Sequence, residues 1–202
     1  CQTISSSGHR RGAQMGVLRI DHPDVVDFIT AKRNSDKLTG FNISLGITDK
    51  FMEALSKEDD SFDLIFDGIV HETVSAKEIW NLAMESTWDW AEPGVLFIDR
   101  IKEMNNLYYC EDISATNPCG EQPLPPYGAC LLGSFNLTKY LTGDAGKYTF
   151  DFEQFKEDIP HVVRAQDNVV DRTIYPLREQ EDEAKNKRRM GLGITGLANA
   201  GE

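Results

Sequence analysis

Met15-Gly16-Val17-Leu18-Arg19-Ile20-Asp21-His22-Pro23 is the stretch that decides the fold class. Met15 to Ile20 is a short apolar run of the length of a buried strand. Asp21-His22-Pro23 ends it and opens a helix, with Pro23 near the first turn, where its missing N–H is no loss. Val25, Val26, Phe28 and Ile29 give that helix an apolar face, and Lys32 and Arg33 at its C-terminal end suit the helix dipole. The same strand-to-helix unit returns downstream. Phe41 to Ile47 reads as a second strand, with Asn42 and Ser44 alternating against Ile43 and Leu45, and Thr48 caps a helix running to about Leu55.

Lys57 to Ser61 is an exposed acidic turn, and Phe62 to Val70 predicts a strand or hairpin. Ser75-Ala76-Lys77-Glu78 is a capping box and opens the clearest helix of the chain, which Pro93-Gly94 ends. Ile79, Leu82, Ala83 and Trp90 fall near one face of it, and Trp80 and Trp88 are expected to pack it. Val95 to Ile98 and Cys130 to Leu137 predict strands, with a turn-rich segment from Lys139 to Lys147. Phe152, Phe155, Val162, Val163, Val169, Val170 and Ile174 have helical spacing up to Pro176. Gln180 to Arg189 is a dense charge run that reads as a solvated face. This alternation favours an α/β fold with a largely parallel sheet.

The 202 residues suffice for one or two domains with a real core. A formal net charge of −12 argues against a nucleic-acid partner. No apolar run approaches the ~20 residues that span a bilayer, so no membrane partner is expected. Cys1, Cys110, Cys119 and Cys130 are too sparse for a disulfide scaffold and contain no C-x-x-C pair, which points to the cytoplasm and to no structural zinc. The start at Cys1 and an end that reads as a helix still running predict a piece of a longer polypeptide.

Chemistry concentrates in Asn117-Pro118-Cys119-Gly120-Glu121, followed by Cys130. Pro fixes φ and Gly tolerates φ > 0, so the segment reads as a tight turn presenting an amide, a thiol and a carboxylate to one small volume. Cys119 fits a nucleophile or redox group, Glu121 a general base for a hydroxyl proton, Asn117 a clamp on substrate oxygens and Cys130 a dithiol partner. Acyl transfer would need a His base, His71 or His161, brought in by the fold. In the bland alternative Cys119 is a small buried hydrophobe and Glu121 a surface acid. A second loop, Gly8-His9-Arg10-Arg11-Gly12-Ala13-Gln14, carries two guanidiniums and exposed N–H groups that suit phosphate or carboxylate, or simply solvent. Gly191-Leu192-Gly193-Ile194-Thr195-Gly196 matches a dinucleotide fingerprint, but Lys185 to Arg189 before it does not read as a strand, and small residues for close helix packing explain it better.

Taken together, the ordered stretches Gly8 to Leu18, Asp21-His22-Pro23-Asp24, Phe41-Asn42-Ile43-Ser44, Asn117 to Glu121, Cys130 to Leu137 and Arg188 to Gly193 resemble the catalytic barrel of the ribonucleotide reductase large subunit. The wording is most similar to the class II, adenosylcobalamin-dependent branch. The close alternative is the class I large subunit, whose radical comes from a separate metal-containing subunit. The resemblance implies a ten-stranded α/β barrel with a central finger loop carrying the catalytic cysteine, with residues 1–202 as part of one barrel domain. It implies reduction of ribonucleotides, as diphosphates, to 2′-deoxyribonucleotides for DNA synthesis. Cys119 would carry a thiyl radical that takes the ribose 3′ hydrogen, Glu121 would take the 3′-hydroxyl proton, and Asn117 would bind the ribose hydroxyls. Cys130 would be half of the reducing dithiol that ends as a disulfide. The Gly8 to Gln14 loop would lie between substrate and allosteric nucleotide, with Arg10 or Arg11 on base or phosphate. A nucleotide effector, a thioredoxin-like or other dithiol reductant and a homodimer are implied partners. The family's other reducible cysteine lies upstream of the Gly8 loop, too far for Cys1 to match, and Cys110 is not at a redox position. The 202 residues alone are expected to be inactive. Two other readings are a barrel relative that binds nucleotides without catalysis, and a Cys-dependent hydrolase.

Overall fold

The computed structural model describes residues 12–33, 38–144 and 146–201. The chain divides into two compact units, Cys1–Pro126 and Tyr127–Glu202. Both are mixed α/β.

In the first unit, β1 (Gln14–Arg19), β2 (Phe41–Ile47) and β5 (Gly94–Phe97) form a three-stranded parallel sheet in the order β1-β2-β5. Parallel neighbours need crossovers. These are α1 (Val25–Thr30) on one side of the gap, and between β2 and β5 a longer run. That run is α2 (Asp49–Ser56), the antiparallel hairpin β3 (Ser61–Phe66) and β4 (Ile69–Ser75), and α3 (Ala76–Trp90). α4 (Ile98–Glu103) follows β5. Ile20, Val25, Ile29, Leu45, Ile47, Phe51, Phe62, Leu64 and Ile79 are almost fully buried in one core cluster with Ala54, Ala76 and Ala83. Each large side chain in it contributes about 1.5–3 kcal/mol of burial.

The start signals read from sequence are made as hydrogen bonds. Thr48 Oγ1 accepts from Phe51 N at 3.2 Å, and Ser75 Oγ accepts from Glu78 N at 3.1 Å. Two side-chain expectations fail. α1 stops at Thr30, so Lys32 and Arg33 lie beyond it. Lys32 instead pairs with Glu92 and donates to Phe41 O, and Arg33 Nε donates to Ser86 Oγ at 2.8 Å. Those bonds tie the α1 exit to β2 and α3. Trp88 is 90% exposed and Trp90 54%, because the core-facing stripe of α3 runs through Ile79, Ala83 and Ser86 and leaves both rings outside it.

In the second unit, β8 (Leu131–Asn136) and β11 (Met190–Thr195) pair in parallel, with Leu131 opposite Met190 and Asn136 opposite Thr195. The glycine-rich stretch is therefore itself a strand, and a helix packs on it. α5 (Phe152–Arg172) lies against it, Gln166 Nε2 donating to Gly191 O at 3.2 Å. A Cβ at Gly133 would come within 2.8 Å of that amide nitrogen, so the small residue serves sheet-to-helix approach. A 3-10 turn (Leu137–Tyr140) leads into an antiparallel hairpin, β9 (Leu141–Asp144) and β10 (Lys147–Phe150), in the segment read as turns. Phe135, Tyr140 and Phe150 gather around Phe155 with ring centroids 5.0, 5.1 and 5.7 Å from it, which anchors that hairpin. α6 (Arg178–Lys187) and α7 (Leu197–Gly201) complete the unit.

The charge run is not simply a solvated face. Arg188 Nε donates to Asp167 Oδ1 at 2.6 Å and its NH1 to Asp171 Oδ1 at 2.8 Å, while Glu183, Lys187 and Arg189 are only 15%, 16% and 16% exposed. Among the described residues the strands form five small sheets and no closed barrel. No described helix is long and apolar enough to cross a membrane.

Candidate active site

Asn117 to Glu121 is the turn of a small hairpin between β6 (Ala115–Thr116) and β7 (Pro123–Leu124), which pair antiparallel with Ala115 opposite Leu124. Its geometry follows from its residues. Gly120 N donates to Asn117 O at 3.0 Å, closing a four-residue turn with Pro118 second and Gly120 last. Gly120 has φ +82, so a Cβ there would be strained, although the space around it is open. Asn117 Oδ1 accepts from Gln122 N at 3.0 Å, and Asn117 N donates to Gln122 O at 3.3 Å, which seals the base of the loop. Asn117 Nδ2 meets no acceptor among the described residues.

One contact reaches the turn from the sheet. Asn42 Nδ2, on β2, donates to Pro118 O at 3.3 Å, immediately before Cys119. Asn42 is opposite Met15 in β1, and Gln14 is opposite Phe41. The turn and the described part of the second loop, Gly12, Ala13 and Gln14, thus meet the sheet at the end where β1 and β2 begin. Gln14 N donates to Gly40 O at 2.9 Å there. Gly8, His9, Arg10 and Arg11 lie outside the described residues. Cys119 and Glu121 are exposed, so Glu121 is the surface acid of the bland alternative but Cys119 is not its small buried hydrophobe. His71, on β4 of the same unit, has no contact with the turn among the described residues, and His161 belongs to α5 of the second unit.

Cys130 belongs to the second unit and immediately precedes β8. It is half-buried and lines a cavity of about 150 Å³ with Leu131, Val169, Val170, Tyr175 and Arg189. Burial pushes its thiol pKa up, against the charge of Arg189 and the N–H of Gly191, which both favour the thiolate. Cys110, exposed, is a free thiol in the first unit, Sγ 3.6 Å from Leu107 O.

A family model described as ribonucleotide reductase, barrel domain, matches residues 1–200. This chain belongs to the ribonucleotide reductase family. It is 40% identical over 199 residues to the vitamin B12-dependent ribonucleoside-diphosphate reductase of Thermoplasma acidophilum, covering 97% of this chain and 25% of that protein. It is 37% identical over 199 residues to the protein of the same name from Mycobacterium tuberculosis strain CDC 1551 / Oshkosh, covering 96% of this chain and 28% of that one. The ribonucleoside-diphosphate reductase large subunit of Danio rerio is more distant, 25% identical over 229 residues, 98% of this chain and 28% of its own length. The chain therefore spans about a quarter of the length of these curated relatives.

The sequence pattern singles out the turn and Cys130 but neither Asn42, which bonds the turn, nor Arg189, which shares a cavity with Cys130. Asn42 carried a usable signal, a polar residue alternating with buried Ile43. Its partner lies 76 positions away and has no local signature. Arg189 was absorbed into the charge run, and only its low exposure separates it from the solvated charges around it.

Proposed function

We propose that the protein to which this chain belongs reduces ribonucleoside diphosphates to 2′-deoxyribonucleotides, with adenosylcobalamin as radical source. The observation that carries the reading is the hairpin turn, which presents Asn117, Cys119 and Glu121 at the end of the sheet where the Gly12–Gln14 segment enters β1. Adenosylcobalamin, when bound, supplies the radical equivalent that removes the hydrogen atom from Cys119 Sγ. The exposed thiol beside the open flank of Gly120 leaves room for a bulky group. No residue of this chain is assigned to hold it.

The chain's own groups then divide the work. Cys119 takes the 3′ hydrogen of the ribose and returns it after reduction. Glu121 accepts the 3′-hydroxyl proton. Asn117 already uses Oδ1 inside its loop, so its ribose contact is donation from Nδ2. The 2′-hydroxyl leaves as water. Cys130 and a second cysteine give up two electrons and two protons and close a disulfide, which a thioredoxin-like or other dithiol reopens. Residues 1–202 are part of a ten-stranded α/β barrel domain, with Asn117 to Glu121 as its central finger loop. The Gly8 to Gln14 loop relays a nucleotide effector to the substrate, and the parent protein is a cytoplasmic homodimer.

The assay is product formation from a ribonucleoside diphosphate by the full-length protein with adenosylcobalamin and a dithiol. Deoxyribonucleotide formed without any second protein supports the proposal. The alternative is a class I large subunit, in which product appears only when a metal-containing radical subunit is added, and the 25% identity to such a subunit, against 40% to a vitamin B12-dependent reductase, gives it the weaker support. Nucleotide binding with no product under either condition rejects the chemistry.

A further inference from the structure

We propose that Arg189, braced by Glu183, is a positioning residue that sets the reactivity of the Cys130 thiol toward disulfide exchange. The inference rests on the reading of Cys130 as a reducing thiol and goes beyond it to the group that governs that thiol. Arg189 precedes β11 as Cys130 precedes β8, and Leu131 N donates to Arg189 O at 3.1 Å, so the parallel pairing sets the two residues side by side. Both line the same cavity, whose other walls are mostly apolar, Leu131, Val169 and Val170 among them. A charge facing such walls is weakly screened and acts strongly on a neighbouring sulfur.

The guanidinium is held rather than mobile. Arg189 NH1 donates to Glu183 Oε1 at 2.7 Å, and both side chains are about five-sixths buried, at 16% and 15% exposure. Lys187 Nζ reaches the other oxygen of the same carboxylate at 2.7 Å, so Glu183 is shared between two cations. Three other titratable groups on the surrounding elements have partners of their own. Tyr175 OH, in the cavity wall, donates to Val170 O at 3.2 Å, and Asp167 and Asp171 on α5 face Arg188. Arg189 is the described cation facing the thiol. The N–H of Gly191 adds a second group that favours thiolate, and burial opposes both. Since the thiolate is the species that attacks a disulfide in exchange, loss of Arg189 leaves burial less opposed and slows the sulfur.

The test is the pH dependence of iodoacetamide alkylation at Cys130 in the reduced full-length protein, read peptide by peptide by mass spectrometry. Arg189→Gln is expected to move the Cys130 midpoint upward and to slow its alkylation at pH 7 by roughly 3- to 10-fold. Arg189→Lys, which keeps the charge, is expected to recover most of that rate, and Glu183→Gln, which frees the guanidinium, to change it by a smaller factor. Amide exchange across β8, β11 and α5 should be the same in all variants, which a loss of folding would not allow. An unchanged Cys130 profile in Arg189→Gln, or equal slowing in Arg189→Lys and Arg189→Gln, would overturn the proposal. Sustained multiple turnover by Cys130→Ser would reject the role of Cys130 itself, a failure that the alkylation profiles tell apart from a failure of Arg189.

Discussion

Asn117 Oδ1 accepts from Gln122 N inside the loop, and Nδ2, which meets no acceptor among the described residues, is the donor of the proposed ribose contact. Asn117→Asp keeps the acceptor and removes the donor, so the hairpin should persist while kcat/KM falls on the order of 100-fold, and Asn117→Ala should lose both. Asn42 acts one step further out, through the carbonyl before Cys119. Asn42→Ala is expected to lower kcat roughly 10-fold with KM nearly unchanged and to raise amide exchange in the 117–122 turn, while exchange in β2 stays slow. Equal loss of protection across β2 and the turn would make Asn42 a general stabiliser instead. The reactive residues were legible because Pro and Gly punctuate a short motif and set its turn. Asn42 showed only as a polar residue in an alternating strand, because its partner 76 positions away has no local signature.

Among the elements, α3 shows how a cap is layered. Ser75 Oγ accepts from Glu78 N, and Asp60 Oδ2 accepts from Lys77 N at 2.9 Å, so two first-turn N–H groups have side-chain partners. Ser75→Ala is expected to cost about 1 kcal/mol by denaturant unfolding. Hydrogen bonds from Ser75 and then Lys77 N hold the Asp60 carboxyl below its usual range. A carboxylate depressed in the folded state stabilises above its unfolded value of about 4, and that stabilisation fades as pH falls through the lower, folded value. Asp60→Asn should flatten this acid-side loss of stability, and an acid limb identical to that of the parent would show that Asp60 contributes nothing there. The strands β1 and β2 were legible from their apolar runs, α2 and α3 from the explicit caps Thr48 and Ser75, and α5 from helical spacing alone. The β9–β10 hairpin was hidden by its shortness and two glycines, its stability coming from the aromatic packing of Tyr140 and Phe150 on Phe155. The α6 charge run misled for the opposite reason. Composition signals solvent, but paired charges such as Arg189–Glu183 can be covered.

For the whole molecule, the sequence conveyed the mixed α/β class through alternation of elements, whereas a closed barrel depends on strand pairings across the full chain that no local pattern encodes. Among the described residues those pairings make a three-stranded parallel sheet in one unit and a two-stranded parallel pair in the other. The net charge of −12 sets a global expectation as well. A DNA duplex should keep its electrophoretic mobility in the presence of the protein even at low salt, where phosphate contacts are strongest, and retardation that salt abolishes would contradict this. The central claim is that the Cys119 thiol carries the reaction. It is tested most directly by Cys119→Ser in the full-length protein, with product formation and nucleotide binding measured on the same preparation. Near-complete loss of reduction with nucleotide affinity retained is the predicted result. Reduction at a rate close to that of the parent would contradict it.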